Sequence, residues 1–239
     1  MSPRAASDEP AHAVARPRTP SLDGVAELVA VMDRLRSPGG CPWDAEQTHA
    51  SLLPYVVEEA HELVEAVETG TRDDVLEELG DVLLQVVFHA RLAQEDPDAP
   101  FDLDDVARGT AAKLVARHPH VFAGAHAPDA DAVKARWDEL KKAEKGRESA
   151  LDGVPPSLGA LARAAKLASR AHRAGLDARP AADGAGSLGD RLLRLVLEAV
   201  DAGLDPEAEL RTATREWEAG LRSAERTARA SDVGDTPKS

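Results

Sequence analysis

THASLLPYVVEEAHELVEAVETGTRDDVLEELGDVLLQVVFHARLAQ, residues 48–94, decides the fold. Its apolar residues recur at helical spacing, first as Val56, Ala60, Leu63 and Val67, then as Val75, Leu79, Val82 and Val86. Gly70 stops the first run and Thr71 can cap the second. The spacing predicts helices over about Thr48–Glu68 and Thr71–Gln94. So short a turn makes them antiparallel neighbours. Pro54 lies inside the first and predicts either a kink or a helix start.

The flanking sequence follows the same pattern. Ser21 can cap a helix carrying Val25, Leu28, Val29, Met32 and Leu35, which Ser37-Pro38-Gly39-Gly40 ends. Cys41-Pro42-Trp43-Asp44 reads as a loop. Further helices are expected over about Leu103–Arg117 and Asp131–Lys145. Ser157 can cap another running to Ala174, and two more cover about Leu188–Ala202 and Asp205–Ala228. No stretch alternates with period two, so the chain reads as all-α, an antiparallel helical bundle. Aromatic residues are only 3%, which leaves Ala, Val and Leu to build the core. Residues 1–20 and 231–239 read as disordered tails.

A formal net charge of −14 disfavours nucleic acid and anionic membranes as partners. It repels polyphosphates too, unless a cation bridges the two. No apolar run approaches spanning length, and the amino-terminal stretch lacks the apolar segment of a secretory signal. The one cysteine, Cys41, allows no internal disulfide and fits a reducing compartment, so a cytoplasmic location is expected.

The chemistry concentrates on the two opening helices. Glu59 and Glu62 lie about 60° and 120° to one side of the first apolar stripe, and Glu78 and Asp81 lie at the same offsets from the second. In an antiparallel pair related by a local two-fold axis, equal offsets bring four carboxylates together. Like charges at that density call for a cation, and hard oxygen ligands suit Mg²⁺ or Mn²⁺. Glycine is costly inside a helix, so Gly80 suggests a close helix approach. A lone Glu-x-x-Glu is ordinarily a solvated face; two pairs at matched offsets are the stronger signal. Glu58-x-x-His61 resembles half of a di-iron motif, but the second helix lacks the matching Glu-x-x-His, and His61 reads more simply as a surface or rim histidine.

These residues belong to a longer series. Cys41-Pro42-Trp43-Asp44, Gln47-Thr48, Glu58-Glu59-x-x-Glu62, Glu78-Leu79-Gly80-Asp81, Leu83 to Ala90, Arg117-His118-Pro119-His120-Val121-Phe122, Trp137 to Lys141 and Leu151 to Pro155 resemble the MazG family of nucleoside triphosphate pyrophosphohydrolases. The resemblance spans about Leu22 to Ala174. It implies an all-α pyrophosphohydrolase fold, a homodimer, and Mg²⁺-dependent hydrolysis of a nucleoside triphosphate to the monophosphate and pyrophosphate. It implies Glu59, Glu62, Glu78 and Asp81 as metal ligands, and Lys113, Arg117, Trp137 and Lys141 at the substrate. Glu58 is the candidate for orienting the attacking water, as a neighbour of the ligands. Trp43 either stacks near the base or anchors its loop. Narrower dUTPase-like or phosphoribosyl-ATP pyrophosphohydrolase activities, or a non-catalytic helical interaction module, are the rival readings. The cations and Trp137 favour an enzyme, and the Cys-Pro-Trp-Asp motif favours the MazG-like reading.

Ser187-Leu188-Gly189-Asp190-Arg191-Leu192-Leu193 echoes Glu78 to Leu84. Ser187 replaces a ligand Glu, and no Glu-Glu-x-x-Glu box precedes it. The organisation expected is therefore a catalytic domain over 21–146, a linker over 147–158 and a degenerate helical repeat over 159–230 that does not hydrolyse triphosphates.

Overall fold

A computed structural model describes residues 21–124, 129, 133, 136–137, 148–176 and 186–234. Among them all regular structure is helical, and they fall into two compact units, one up to position 126 and one from 127. The helix expected over Asp131–Lys145 lies mostly outside the described residues; positions 133, 136 and 137 are helical.

In the first unit α1 spans Asp23–Arg36. Leu22 occupies its N-cap, while Ser21 Oγ accepts from the Asp23 N–H at 3.2 Å. The chain then doubles back tightly: the Gly40 N–H donates to the Ser37 carbonyl and that of Cys41 to the Leu35 carbonyl. A Cβ at Gly40 would stand 2.1 Å from the Leu35 oxygen, so only glycine fits there. The loop expected at Cys41–Asp44 is instead the start of a short helix, α2 (Pro42–Glu46). Pro42 is at the first helical position, where its missing N–H costs nothing.

The helix α3 covers His49–Thr69 and continues through Pro54. The proline forfeits a main-chain hydrogen bond. A reciprocal Thr48/Ser51 capping box and Leu52, which is 1% exposed, hold the turns around it. Thr71 and Asp74 form the same kind of box at the start of α4 (Arg72–Ala93). Hydrogen bonds from Thr71 hold the Asp74 carboxyl below its usual range. The helix α5 covers Leu103–Arg117 and is capped by Asp102, and α6 is the single turn Pro119–Phe122.

The core lies where α1, α3 and α4 meet. Met32, Leu52, Val87, Phe88 and Leu92 are buried together, with Leu28, Leu35, Leu83 and Leu103 packed around them. Each large aliphatic side chain so buried contributes about 1.5–3 kcal/mol. One end is closed by ions: Arg36 forks onto both oxygens of Glu95 at 2.8 and 2.9 Å, and Arg91 reaches Glu95 and Asp33, each at 2.8 Å. The Arg36 hydrogen bond, ahead of the two guanidinium charges, holds Glu95 below its usual range.

The second unit contains α7 (Ala160–Arg173), α8 (Leu188–Asp201) and α9 (Pro206–Gly234). Ser157 does not cap α7, which starts three residues later, after a turn closed by Leu158 N–H on the Pro155 carbonyl. A carboxylate supplies the cap from another helix: Glu207 Oε2 on α9 accepts from the Ala162 N–H at 3.2 Å.

Candidate active site

The α3–α4 pair positions an acidic cluster. Glu59, Glu78 and Asp81 are all half-buried, and one oxygen from each lies within 4.8 Å of the other two. Burial holds the Glu59 carboxyl above its usual range, followed by the charges of Asp81 and Glu62, a hydrogen bond with Glu62 and the charge of Glu78. Glu78 is raised as well, again first by desolvation, then by Glu62 and Asp81. Its Oε2 is shielded from solvent and has no hydrogen-bond partner. Buried polar atoms are seldom left unpaired, and a cation shared among hard oxygens would satisfy this one. The donor set therefore fits a divalent metal of the Mg²⁺ or Mn²⁺ type.

The apolar stripes expected from the sequence are displaced. Val56, Leu63, Val75 and Val82 are half-buried, but Ala60, Val67, Leu79 and Val86 are exposed. Buried instead are Leu52 and Ala66 on α3 and Gln85, Val87 and Phe88 on α4, with Glu59, Glu78 and Asp81 half-buried. The carboxylates are thus as buried as the half-buried part of the apolar stripes. Gly80 is also corrected: a Cβ there would meet nothing within 4 Å, so no close approach demands glycine.

The other expected site residues are scattered around this cluster. Glu62 is exposed but close enough to act on both Glu59 and Glu78, and Glu58 is exposed beside Glu59. His61 is exposed, as a surface histidine should be. Lys113 is exposed on α5, which packs against α4, and Arg117 is buried one turn later. Trp43 is 50% exposed on α2, with its ring edge-to-face against Tyr55 at 6.1 Å. Trp137 is half-buried and belongs to the second unit. Lys141 lies outside the described residues.

Sequence reasoning missed three features. Tyr55 lies one turn before Glu59 on α3, a spacing that was there to be read. Gln85 lies one turn beyond Asp81, buried with an unpartnered Oε1. His49 and His89 stack with their Nδ1 atoms 2.7 Å apart, a pairing that no local pattern announces. Burial, then the charge of His49, holds His89 below the usual histidine range.

The echo of the site in the second unit has a different use. Ser187 caps α8, and Asp190 Oδ2 accepts from the Ser187 N–H at 2.7 Å and from its hydroxyl at 2.9 Å. These bonds hold the Asp190 carboxyl below its usual range. The counterpart of Asp81 is thus committed to starting a helix.

The fold is that of an all-α protein whose α3–α4 pair gathers three carboxylates able to hold a divalent cation. Residues 47–122, from just before α3 to the end of α6, match the MazG nucleotide pyrophosphohydrolase domain. The chain is 38% identical over 214 residues to the nucleoside triphosphate pyrophosphohydrolase/pyrophosphatase MazG of Thermotoga maritima, covering 80% of this chain and 81% of that protein. It is 44% identical over 160 residues to the nucleoside triphosphate pyrophosphohydrolase of Escherichia coli K12, covering 65% of this chain and 60% of that protein. It is 52% identical over 200 residues to the uncharacterized 26.1 kDa protein in the blaB 3' region of Streptomyces cacaoi, covering 83% and 81%. The chain belongs to the MazG nucleotide pyrophosphohydrolase family.

Proposed function

We propose that this chain hydrolyses nucleoside triphosphates to the monophosphate and pyrophosphate with Mg²⁺, and that the first unit carries the site. The observation that carries this reading is the gathering of Glu59, Glu78 and Asp81, one oxygen from each within 4.8 Å of the other two, where Glu78 also holds a buried oxygen without a partner. Glu62 completes the ligand set from the next turn of α3. A divalent cation bound there would neutralise the triphosphate, polarise the α-phosphorus and lower the pKa of the attacking water.

The chain's own residues supply the rest. Glu58, on the exposed side of Glu59, orients water toward the α-phosphorus. Lys113 and Arg117 bring positive charge to phosphate oxygens that the carboxylates would repel. Trp43 is the nucleotide contact supplied by the first unit, and Trp137 and Lys141 keep the substrate role that the family resemblance implies for them. Water adds to the α-phosphorus, the bond from that phosphorus to the bridging oxygen breaks, and pyrophosphate leaves.

The catalytic domain spans 21–146, followed by a linker over 147–158 and a helical repeat over 159–230 without activity of its own. The exposed apolar residues Leu53, Val57, Val67, Leu76, Leu79 and Val86 on α3 and α4 support a homodimer. Among the described residues no helix is long and apolar enough to cross a membrane, and the acidic charge disfavours nucleic acid; both fit work on free nucleotides in the cytoplasm. Glu59→Ala and Asp81→Ala test the site: each reduces turnover to background while far-UV circular dichroism stays helical. Near-normal turnover in both would remove these residues from the metal site.

A further inference from the structure

Arg36 has no role in the site assigned above, yet one of its contacts serves none of the obvious structural needs. Its side chain is only 7% exposed. Nε and one terminal nitrogen grip Glu95, while the other terminal nitrogen donates to the Asp44 carbonyl of α2. Joining α1 to α4 does not need that third bond, because Arg91 already links Asp33 to Glu95.

The helix α2 has five residues, far too few to stand alone. It is held by ties to its main chain. Besides Arg36, Gln47 Nε2 donates to the Trp43 carbonyl at 2.9 Å, and Gln47 Oε1 accepts from Ser51 on α3 at 2.8 Å. A guanidinium near the carboxyl end of the helix also complements its dipole. What these ties fix in place is Trp43. Its ring is not a core anchor, since half of it is exposed; it is held at a set angle of 78° against Tyr55. Tyr55 precedes Glu59 by one helical turn, about 6 Å along the axis. A nucleotide whose phosphates reach Glu59 has its base or sugar within range of this aromatic corner.

We infer that Arg36 is a positioning residue for the substrate: through the Asp44 carbonyl it sets Trp43 against Tyr55, and so sets affinity for the nucleoside end of the triphosphate. The inference rests on the reading of Trp43 as a substrate contact. Arg36→Lys keeps the charge but loses the fork. A double-mutant cycle with Trp43→Ala, read as KM and kcat for one triphosphate with Mg²⁺, tests it. Arg36→Lys is expected to raise KM about fivefold, the scale of one misaligned hydrogen bond, with a much smaller change in kcat. Trp43→Ala raises KM as well, and the double variant matches Trp43→Ala alone, because Arg36 acts through that ring. Effects that multiply in the double variant, or an unchanged KM in Arg36→Lys, overturn the inference while leaving Trp43 as a contact. An unchanged KM in Trp43→Ala overturns both the contact and the inference. If Arg36→Lys loses helicity, Glu95→Gln loosens the same anchor without altering volume and is judged by the same outcomes.

Discussion

Replacing Glu59 by Gln should stabilise the metal-free protein and remove its response to magnesium. The Glu59 carboxyl is held above its usual range by burial, by Asp81, by Glu62 and by Glu78, so the folded state binds its proton more tightly than the unfolded chain does. A group raised in this way contributes stability that is present below its unfolded pKa and is lost as pH rises through its folded value. In the wild-type chain without metal, the contribution of Glu59 to stability therefore falls as pH climbs out of the acid carboxylate range toward neutrality, whatever the carboxyls held low elsewhere add. Gln has the same shape and no charge, so that loss is relieved and the melting temperature in EDTA at neutral pH rises. Metal reverses the comparison. At a hundredfold excess over its dissociation constant, Mg²⁺ should stabilise the wild-type chain by about 2.7 kcal/mol. In a compact unit of about 100 residues this is a rise of roughly 10 °C. Glu59→Gln should show a small fraction of that rise. Differential scanning fluorimetry in EDTA and across a magnesium titration gives both readings. A lower melting temperature of the variant in EDTA, or an undiminished magnesium shift, would refute the reasoning.

Three further outcomes follow from the packing. Leu52→Ala should cost about 2–5 kcal/mol in urea unfolding, because Leu52 is fully buried at the meeting point of α1, α3 and α4. Gly40→Ala should destabilise by more than the ~1 kcal/mol of an ordinary backbone change, since its Cβ would collide with the Leu35 carbonyl; the same unfolding assay measures it. A fragment holding α7, α8 and α9 should show no triphosphate hydrolysis, because Asp190 is bound into the α8 cap; product analysis at high protein concentration checks this.

Much of this was legible in the residues. Thr71 announced its helix, and the apolar period announced the α3–α4 pair, because capping and amphipathicity are local properties. The gathering of Glu59, Glu78 and Asp81 could be foreseen from equal offsets on antiparallel neighbours. The displacement of the apolar stripes could not. Leu79, Val86 and Val67 look like core residues in the sequence, and only packing shows that Leu52, Gln85 and Ala66 are buried instead. The helix α2 was hidden because Pro42 reads equally as a turn residue and as a first helical residue. The Arg36–Glu95 fork and the stacked His49 and His89 join residues 59 and 40 positions apart, beyond the reach of local patterns.

The measurement that bears most directly on the central claim is hydrolysis of a nucleoside triphosphate by the purified chain in ¹⁸O-labelled water with Mg²⁺, followed by mass spectrometry of the separated products. Attack at the α-phosphorus predicts nucleoside monophosphate carrying the label and unlabelled pyrophosphate. Label in the pyrophosphate, or release of orthophosphate with a nucleoside diphosphate, would contradict it.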